Sequence, residues 1–112
     1  MSHNSSGLPT PSVDKIRGIL RNHPNVRRAV LYGSRAKGNY KTGSDIDLTL
    51  HGGGLTDAER MQIMDELDDL LLPWRIDLSL LHRIGQASLL NHIRRAGVIF
   101  YERADLPTVR AN

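Results

Sequence analysis

The stretch that decides the fold is LYGSRAKGNYKTGSDIDLTL, residues 31–50. Its last part, SDIDLTL (44–50), alternates strictly between polar and apolar residues, which is typical of a β-strand with one polar and one buried face. A second stretch, WRIDLSL (74–80), repeats this alternation. The two stretches predict two strands, each of which turns an apolar face towards a core.

Three aspartates lie on the polar faces of these predicted strands. Asp45 and Asp47 are two positions apart and therefore point the same way, and Asp77 lies on the polar face of the second strand. Neighbouring carboxylates repel each other, and a hard divalent cation such as Mg²⁺ is the simplest relief. If the strands are neighbours, three carboxylates converge and suit two Mg²⁺ ions that assist an in-line phosphoryl displacement. The alternative is that these aspartates merely face solvent, as polar strand residues often do.

A Gly33-Ser34 pair ends the strand that precedes the aspartates, which is predicted over residues 26–32. Such a turn exposes backbone N–H groups, which can bind phosphate together with the Ser34 hydroxyl, and glycine lets the backbone approach closely. Arg35 and Lys37 add positive charge beside it. A Gly-Ser turn is also common without a ligand, and solvated loop charges are the alternative for both cations.

The combination is more specific than its parts. Gly33-Ser34, then Asp45-x-Asp47, then Asp77 in a second alternating strand resemble the signature of the DNA polymerase beta-like nucleotidyltransferase superfamily. Within it, residues 31–50 look most like the minimal (MNT-type) proteins, the antitoxin half of HEPN/MNT toxin–antitoxin pairs. The resemblance covers about residues 13–103. It implies an α/β (α+β) nucleotidyltransferase fold, with a short mixed β-sheet and helices packed mainly on one face.

The resemblance also implies roles for the site residues. Asp45 and Asp47 would bind both metal ions, and Asp77 would bind the catalytic metal and help to deprotonate the acceptor hydroxyl. Lys37 stands where many members carry arginine, so the charge is kept but bidentate geometry is lost. The implied nucleotide-binding residues are Gly33, Ser34, Arg35, Lys37 and Ser44, the last of which would orient the aspartates or their loop.

The implied function is a Mg²⁺-dependent nucleotidyltransferase that moves AMP from MgATP to a hydroxyl acceptor. Larger relatives carry a helical domain that presents the acceptor, and 112 residues leave no room for one. The expected acceptor is therefore a tyrosine of a partner HEPN toxin. The alternative is a non-catalytic module that binds nucleotide or neutralises a toxin by contact, which Asn or Ala at position 47 or 77 would have favoured. Transfer to an aminoglycoside is disfavoured by the missing second domain.

Composition limits the remaining classes. The chain has no cysteine, which excludes disulfides and fits a reducing cytosol, and its start has no signal-peptide pattern. Without an apolar run long enough to span a bilayer, it is expected to be cytoplasmic, with no membrane partner. A net charge of +3 favours phosphate-bearing partners, but the basic residues are scattered, so direct nucleic-acid binding is not favoured. Assembly with itself or with another chain is left open.

The pattern of helices and breaks gives the predicted boundaries. Residues 1–11 are rich in Ser, Gly and Pro and predict a flexible tail, residues 12–103 form the nucleotidyltransferase domain, and residues 104–112 form a second tail. Ser12 and Thr56 are predicted helix N-caps. The buried stripe of the helix after Thr56 is predicted to consist of Met61, Met64, Leu67 and Leu71. None of the five histidines pairs with another at metal-ligand spacing, so they are set aside.

Overall fold

The computed structural model describes residues 6–103, and the predicted C-terminal tail, 104–112, lies outside them. The described chain alternates between helices and strands of one sheet. In chain order the elements are α1 (Thr10–Arg21), β1 (Arg28–Tyr32), α2 (Ser34–Lys37), β2 (Ile46–His51), α3 (Asp57–Asp68), β3 (Ile76–Leu80), a 3₁₀ turn (Leu81–Arg83), α4 (Ala87–Ala96) and β4 (Val98–Glu102).

The sheet has the strand order β3-β2-β1-β4. β1 runs antiparallel to both of its neighbours, whereas β2 and β3 are parallel. A parallel pair needs a long crossover connection, and α3 supplies it. The mixed sheet confirms the predicted fold class, and it makes the two alternating stretches direct neighbours.

The core lies between the apolar face of the sheet and the helices α1 and α3. Leu48 and Leu50 of β2 are fully buried there against Ile16 of α1 and Ile63 of α3. Burial of such aliphatic side chains contributes roughly 1.5–3 kcal/mol each. Packing of α1 and α3 on this face leaves the other face of β2 and β3 for the aspartates.

Several local predictions can be compared with the structure. The Thr56 hydroxyl accepts a hydrogen bond from the Glu59 N–H at 3.2 Å, which confirms this N-cap. The first helix begins at Thr10 rather than after Ser12, because a proline is well suited to its first turn. Leu8 is only 3% exposed and belongs to the core cluster, so the described part of the predicted N-terminal tail contributes a residue to the core.

The predicted stripe of α3 was wrong at two of its four positions. Met61 and Leu71 are 56% and 87% exposed. The helix buries Leu67, as predicted, together with Ile63, which is one turn away and therefore faces the same side. Leu71 lies beyond the end of the helix in a left-handed conformation, with φ of 55°, so helical spacing no longer applies to it.

Candidate active site

Asp47 and Asp77 lie side by side on the polar face of the sheet. They are direct partners in the parallel register of β2 and β3, and Asp45 immediately precedes β2. Burial raises the pKa of the Asp47 carboxyl, and the negative charges of Asp77 and Asp45 raise it further. The three aspartates thus lie within electrostatic reach of one another at this end of the sheet, and they are called the acidic group below.

The acidic group is not a preassembled metal site. Within residues 6–103, no three or more His, Cys, Asp or Glu side chains are arranged as ligands around one point. Asp45 and Asp77 are exposed and Asp47 is half-buried, so two of the three carboxylates are open to a ligand from solvent. Their chemistry still matches a hard cation, because carboxylate oxygens are the preferred ligands of Mg²⁺.

Gly33 brings the backbone directly against the Asp47 carboxylate. It follows β1, precedes α2, and adopts φ of 77° and ψ of −158°. A Cβ atom at this position would overlap Oδ2 of Asp47. Both the left-handed φ and the close approach therefore require glycine. Ser34 follows as the first residue of α2 and is half-buried.

His92 is a site residue that the sequence analysis missed. Its Nε2 accepts a hydrogen bond from the Gly33 N–H at 3.2 Å, and its ring meets the Tyr32 ring edge-on with 6.2 Å between centroids. His92 comes from α4, 59 positions from Gly33, so no local pattern could have linked them. The only hint was its position next to Ile93 on an amphipathic helix.

Tyr32 completes the row of side chains across the sheet. It is the antiparallel partner of Asp47 and is 8% exposed. Burial raises the pKa of its phenol; the charges of Asp77 and Asp47 act in the same direction, and only the nearby Ser79 acts against them. A neutral phenol beside the acidic group is the consequence. Tyr32 therefore packs at the edge of the site.

Arg35 is placed differently from the expectation of a phosphate contact. Its side chain is 2% exposed, and its guanidinium donates to three backbone carbonyls, those of Ser6, Thr42 and Ser44. Each of the three guanidinium nitrogens is used in this way. The charge is thus directed into the loop between α2 and β2 and not towards Gly33.

The two other predicted nucleotide-binding residues occupy different environments. Lys37 is exposed at the end of α2, where its ammonium is open to solvent. The Ser44 hydroxyl accepts a hydrogen bond from the Lys41 N–H at 2.8 Å, and the Ser44 N–H donates to the Lys41 carbonyl at 3.0 Å. Ser44 therefore closes the turn that leads into Asp45.

These features agree with the comparison with known proteins. The chain belongs to the polymerase beta nucleotidyltransferase family, whose sequence model matches residues 14–106. No curated protein matches its sequence. In the part of the chain that the structure describes, no helix combines the length and apolar character that crossing a membrane requires.

Several solved structures share the fold. A toxin–antitoxin complex with AMP-PNP aligns with a TM-score of 0.67 and 23% identity, over 82% of this chain and 74% of that one. An MntA–HepT toxin–antitoxin complex aligns with a TM-score of 0.62 and 21% identity, over 84% of this chain and 73% of that one. A complex of the tri-AMPylated HEPN toxin of Shewanella oneidensis with its MNT antitoxin aligns with a TM-score of 0.62 and 22% identity, over 82% of this chain and 71% of that one. The match over residues 14–106 thus confirms the predicted family, and these solved structures share its fold.

Proposed function

We propose that this chain is a Mg²⁺-dependent adenylyltransferase that transfers AMP from ATP to a hydroxyl of a HEPN-type partner protein and thereby acts as its antitoxin in the cytoplasm. The observation that carries the proposal is the placement of Asp47 beside Asp77 with Gly33 against the Asp47 carboxylate. Support also comes from two proteins of the same fold, one solved with AMP-PNP and the other bound to an AMPylated toxin.

Asp45, Asp47 and Asp77 are the residues that would hold the metal ions. Burial and the charges of its two acidic neighbours raise the pKa of Asp47, as expected where carboxylates lie close together. A bound divalent cation would offset this repulsion and neutralise the triphosphate and its leaving group. The donor set thus fits Mg²⁺.

The proposed reaction forms one bond to phosphorus and breaks one, and it moves one proton. The acceptor oxygen bonds to the α-phosphorus of ATP, the bond from that phosphorus to the bridging oxygen of the β-phosphate breaks, and pyrophosphate leaves with the electron pair. The acceptor proton passes to the Asp77 carboxylate. The backbone at Gly33 and the Ser34 hydroxyl hold the β- and γ-phosphates, and Lys37 offsets their charge.

The position of Asp77 suits a macromolecular acceptor. β3 is an edge strand of the sheet, and Asp77 is exposed on it. A tyrosine on the surface of another protein can reach such a carboxylate without entering a deep cleft. We therefore assign the acceptor to a tyrosine of the HEPN partner, in line with the AMPylated toxin bound to a protein of this fold.

The test is AMP transfer to the candidate partner, measured by intact-mass spectrometry after incubation with ATP and Mg²⁺. We expect the partner to gain AMP with the wild-type chain, and to gain none when EDTA is present or when Asp47 is replaced by Asn. The matched control is Asp14→Asn, which removes an exposed carboxylate from α1 and leaves labelling intact. Neutralisation of the toxin by wild type and Asp47→Asn alike, with no label, would establish the binding-module alternative instead.

A further inference from the structure

Arg35 is the centre of a small buried cluster beside the acidic group. Its Nη1 donates to the Ser6 carbonyl at 2.8 Å, its Nη2 to the Thr42 carbonyl at 3.0 Å, and its Nε to the Ser44 carbonyl at 3.0 Å. Among residues 6–103, no carboxylate forms an ion pair with this guanidinium. Backbone carbonyls therefore provide the hydrogen bonds that a buried cation needs.

Two aromatic rings complete the surroundings of the guanidinium. Its central carbon lies 5.1 Å from the centre of the Tyr40 ring and 5.8 Å from that of Trp74. The Trp74 indole N–H donates to the same Thr42 carbonyl, at 3.1 Å. A planar guanidinium can stack on rings and donate in several directions at once, whereas a lysine ammonium cannot reproduce this geometry.

This cluster joins two segments that are far apart in sequence. One is the segment before α1, in which Ser6 is bonded to Arg35 and Leu8 is buried in the core. The other is the turn 41–44, whose last residue, Ser44, is bonded to Arg35 and covalently precedes Asp45. The backbone next to Asp45 is thus linked to the N-terminal segment by hydrogen bonds of a single side chain, that of Arg35.

We propose that Arg35 is a positioning residue of the active site, which holds the turn 41–44 against the N-terminal segment and so sets the place of Asp45. The proposal rests on the proposed function, because it treats Asp45 as a metal ligand. It assigns to Arg35 no contact with phosphate, since the side chain is only 2% exposed and each of its three nitrogens donates to a backbone carbonyl.

A substitution at Gly7 would perturb the same cluster from the N-terminal segment. It has φ of 77°, and a Cβ atom there would overlap the Tyr40 ring. Replacement by alanine therefore strains the segment and pushes on the ring that covers Arg35. Gly53 is a matched control, because a Cβ atom at that position meets no atom within 4 Å.

The first test is amide hydrogen–deuterium exchange, which requires no activity. In Arg35→Lys and Gly7→Ala, we expect exchange over residues 39–45 to be faster by about tenfold, since hydrogen bonds to a charged group are lost. Exchange in β1 and α3 should stay as in wild type. The controls Arg27→Lys, at an exposed arginine, and Gly53→Ala should change nothing. Unchanged exchange over 39–45 in Arg35→Lys would overturn the proposal, even if wild type transferred no AMP.

The second test separates positioning from direct participation. Arg35→Lys should raise the Mg²⁺ concentration for half-maximal AMP transfer by about tenfold, with kcat at saturating Mg²⁺ changed less than about twofold, because only the placement of Asp45 is impaired. A large loss of kcat with the Mg²⁺ dependence unchanged would contradict this and indicate direct contact with the nucleotide. Thermal melting confirms that each variant is folded before it is assayed.

Discussion

Asp47 and Asp77 are paired residues of neighbouring parallel strands, and they project from the same face of the sheet. Adjacent strands lie about 4.8 Å apart, so the two carboxylates are close enough to repel each other strongly in the absence of a cation. α3 covers the opposite, apolar face and connects the two strands. The fold therefore holds two like charges together at the cost of stability, which is common where a site needs them for function.

Replacement of either aspartate should abolish transfer. We expect Asp47→Asn and Asp77→Asn each to lower AMP transfer by on the order of 100-fold or more, because loss of a metal ligand costs at least as much as loss of a group that supports one. Rates are measured at saturating ATP by mass spectrometry. Asp14→Asn is the control, and an Asp77→Asn variant with near-normal activity would rule out the proposed proton acceptor.

Asp47→Asn should also stabilise the protein in the absence of ligands. The substitution removes a half-buried charge that two other carboxylates disfavour, and one such pair is worth on the order of 1 kcal/mol. For a domain of this size the melting temperature should rise by roughly 4–8 °C. The stabilisation that wild type gains from MgATP should disappear in the variant. A lower melting temperature than wild type would show that the carboxylate has a structural role instead.

Gly33→Ala should impair both activity and stability. The new Cβ would overlap the Asp47 carboxylate, and the backbone would be strained at φ of 77°. Gly38→Ala is an informative control, because Gly38 has φ of 87° but a Cβ there meets nothing within 4 Å. Both variants should lose about 1 kcal/mol of unfolding free energy through strain, measured in urea. Only Gly33→Ala should lose AMP transfer. An equal loss of AMP transfer in the two variants would argue against the steric explanation.

His92→Ala should weaken nucleotide binding. The variant frees the Gly33 N–H and removes the hydrogen bond that holds this peptide in place. One such bond is worth about 1 kcal/mol, so KM for ATP should rise roughly fivefold with a smaller change in kcat. His82→Ala, at an exposed position of the 3₁₀ turn, serves as the control. If His92→Ala lowers KM, the imidazole competes with the nucleotide for the Gly33 N–H.

A pH-dependent contribution to stability should come from His23, away from the active site. Burial opposes protonation of its imidazole, but the hydrogen bonds of Glu66 and Glu59, at 2.8 and 3.1 Å, and their charges outweigh it, so the pKa of His23 is raised. The folded state therefore binds the proton more tightly than the unfolded chain, whose histidine titrates near about 6.5.

The direction of the pH dependence of stability follows from this linkage. The stabilisation, on the order of 1 kcal/mol, should be fully present below about pH 6.5 and should be lost as the pH rises through the raised pKa of the folded state. Urea unfolding between about pH 5.5 and 8.5 measures it. His23→Gln should remove this dependence, whereas His51→Gln, at an exposed residue, should keep it. A wild-type stability that increases over this range would contradict the assignment.

Much of the fold could be predicted because the signals are local. Strict alternation in 44–50 and 74–80 predicted β2 and β3, and it also predicted which side chains of each strand share a face. The Thr56 cap was equally local, since its partner lies three residues away. The prediction that Met61 is buried was wrong, because helical spacing alone did not indicate which side of α3 faces the core.

Arg35 shows the limit for the candidate site. Its charge next to Gly33-Ser34 suggested a phosphate contact, and the resemblance supported that interpretation. The direction of its side chain depends on Ser6, which is 29 positions away, and on two rings that the fold brings together. A pattern of residue types contains no information on such partners.

The sequence by itself determined that the aspartates share the polar faces of two strands and that a glycine precedes them, because side-chain alternation and backbone freedom are properties of a few consecutive residues. Only the tertiary structure decided that Asp77 pairs with Asp47, that His92 accepts from Gly33, and that Arg35 turns inward. The physical reason is that these contacts depend on strand order and helix packing, which are set by burial of the whole core and not by any short segment.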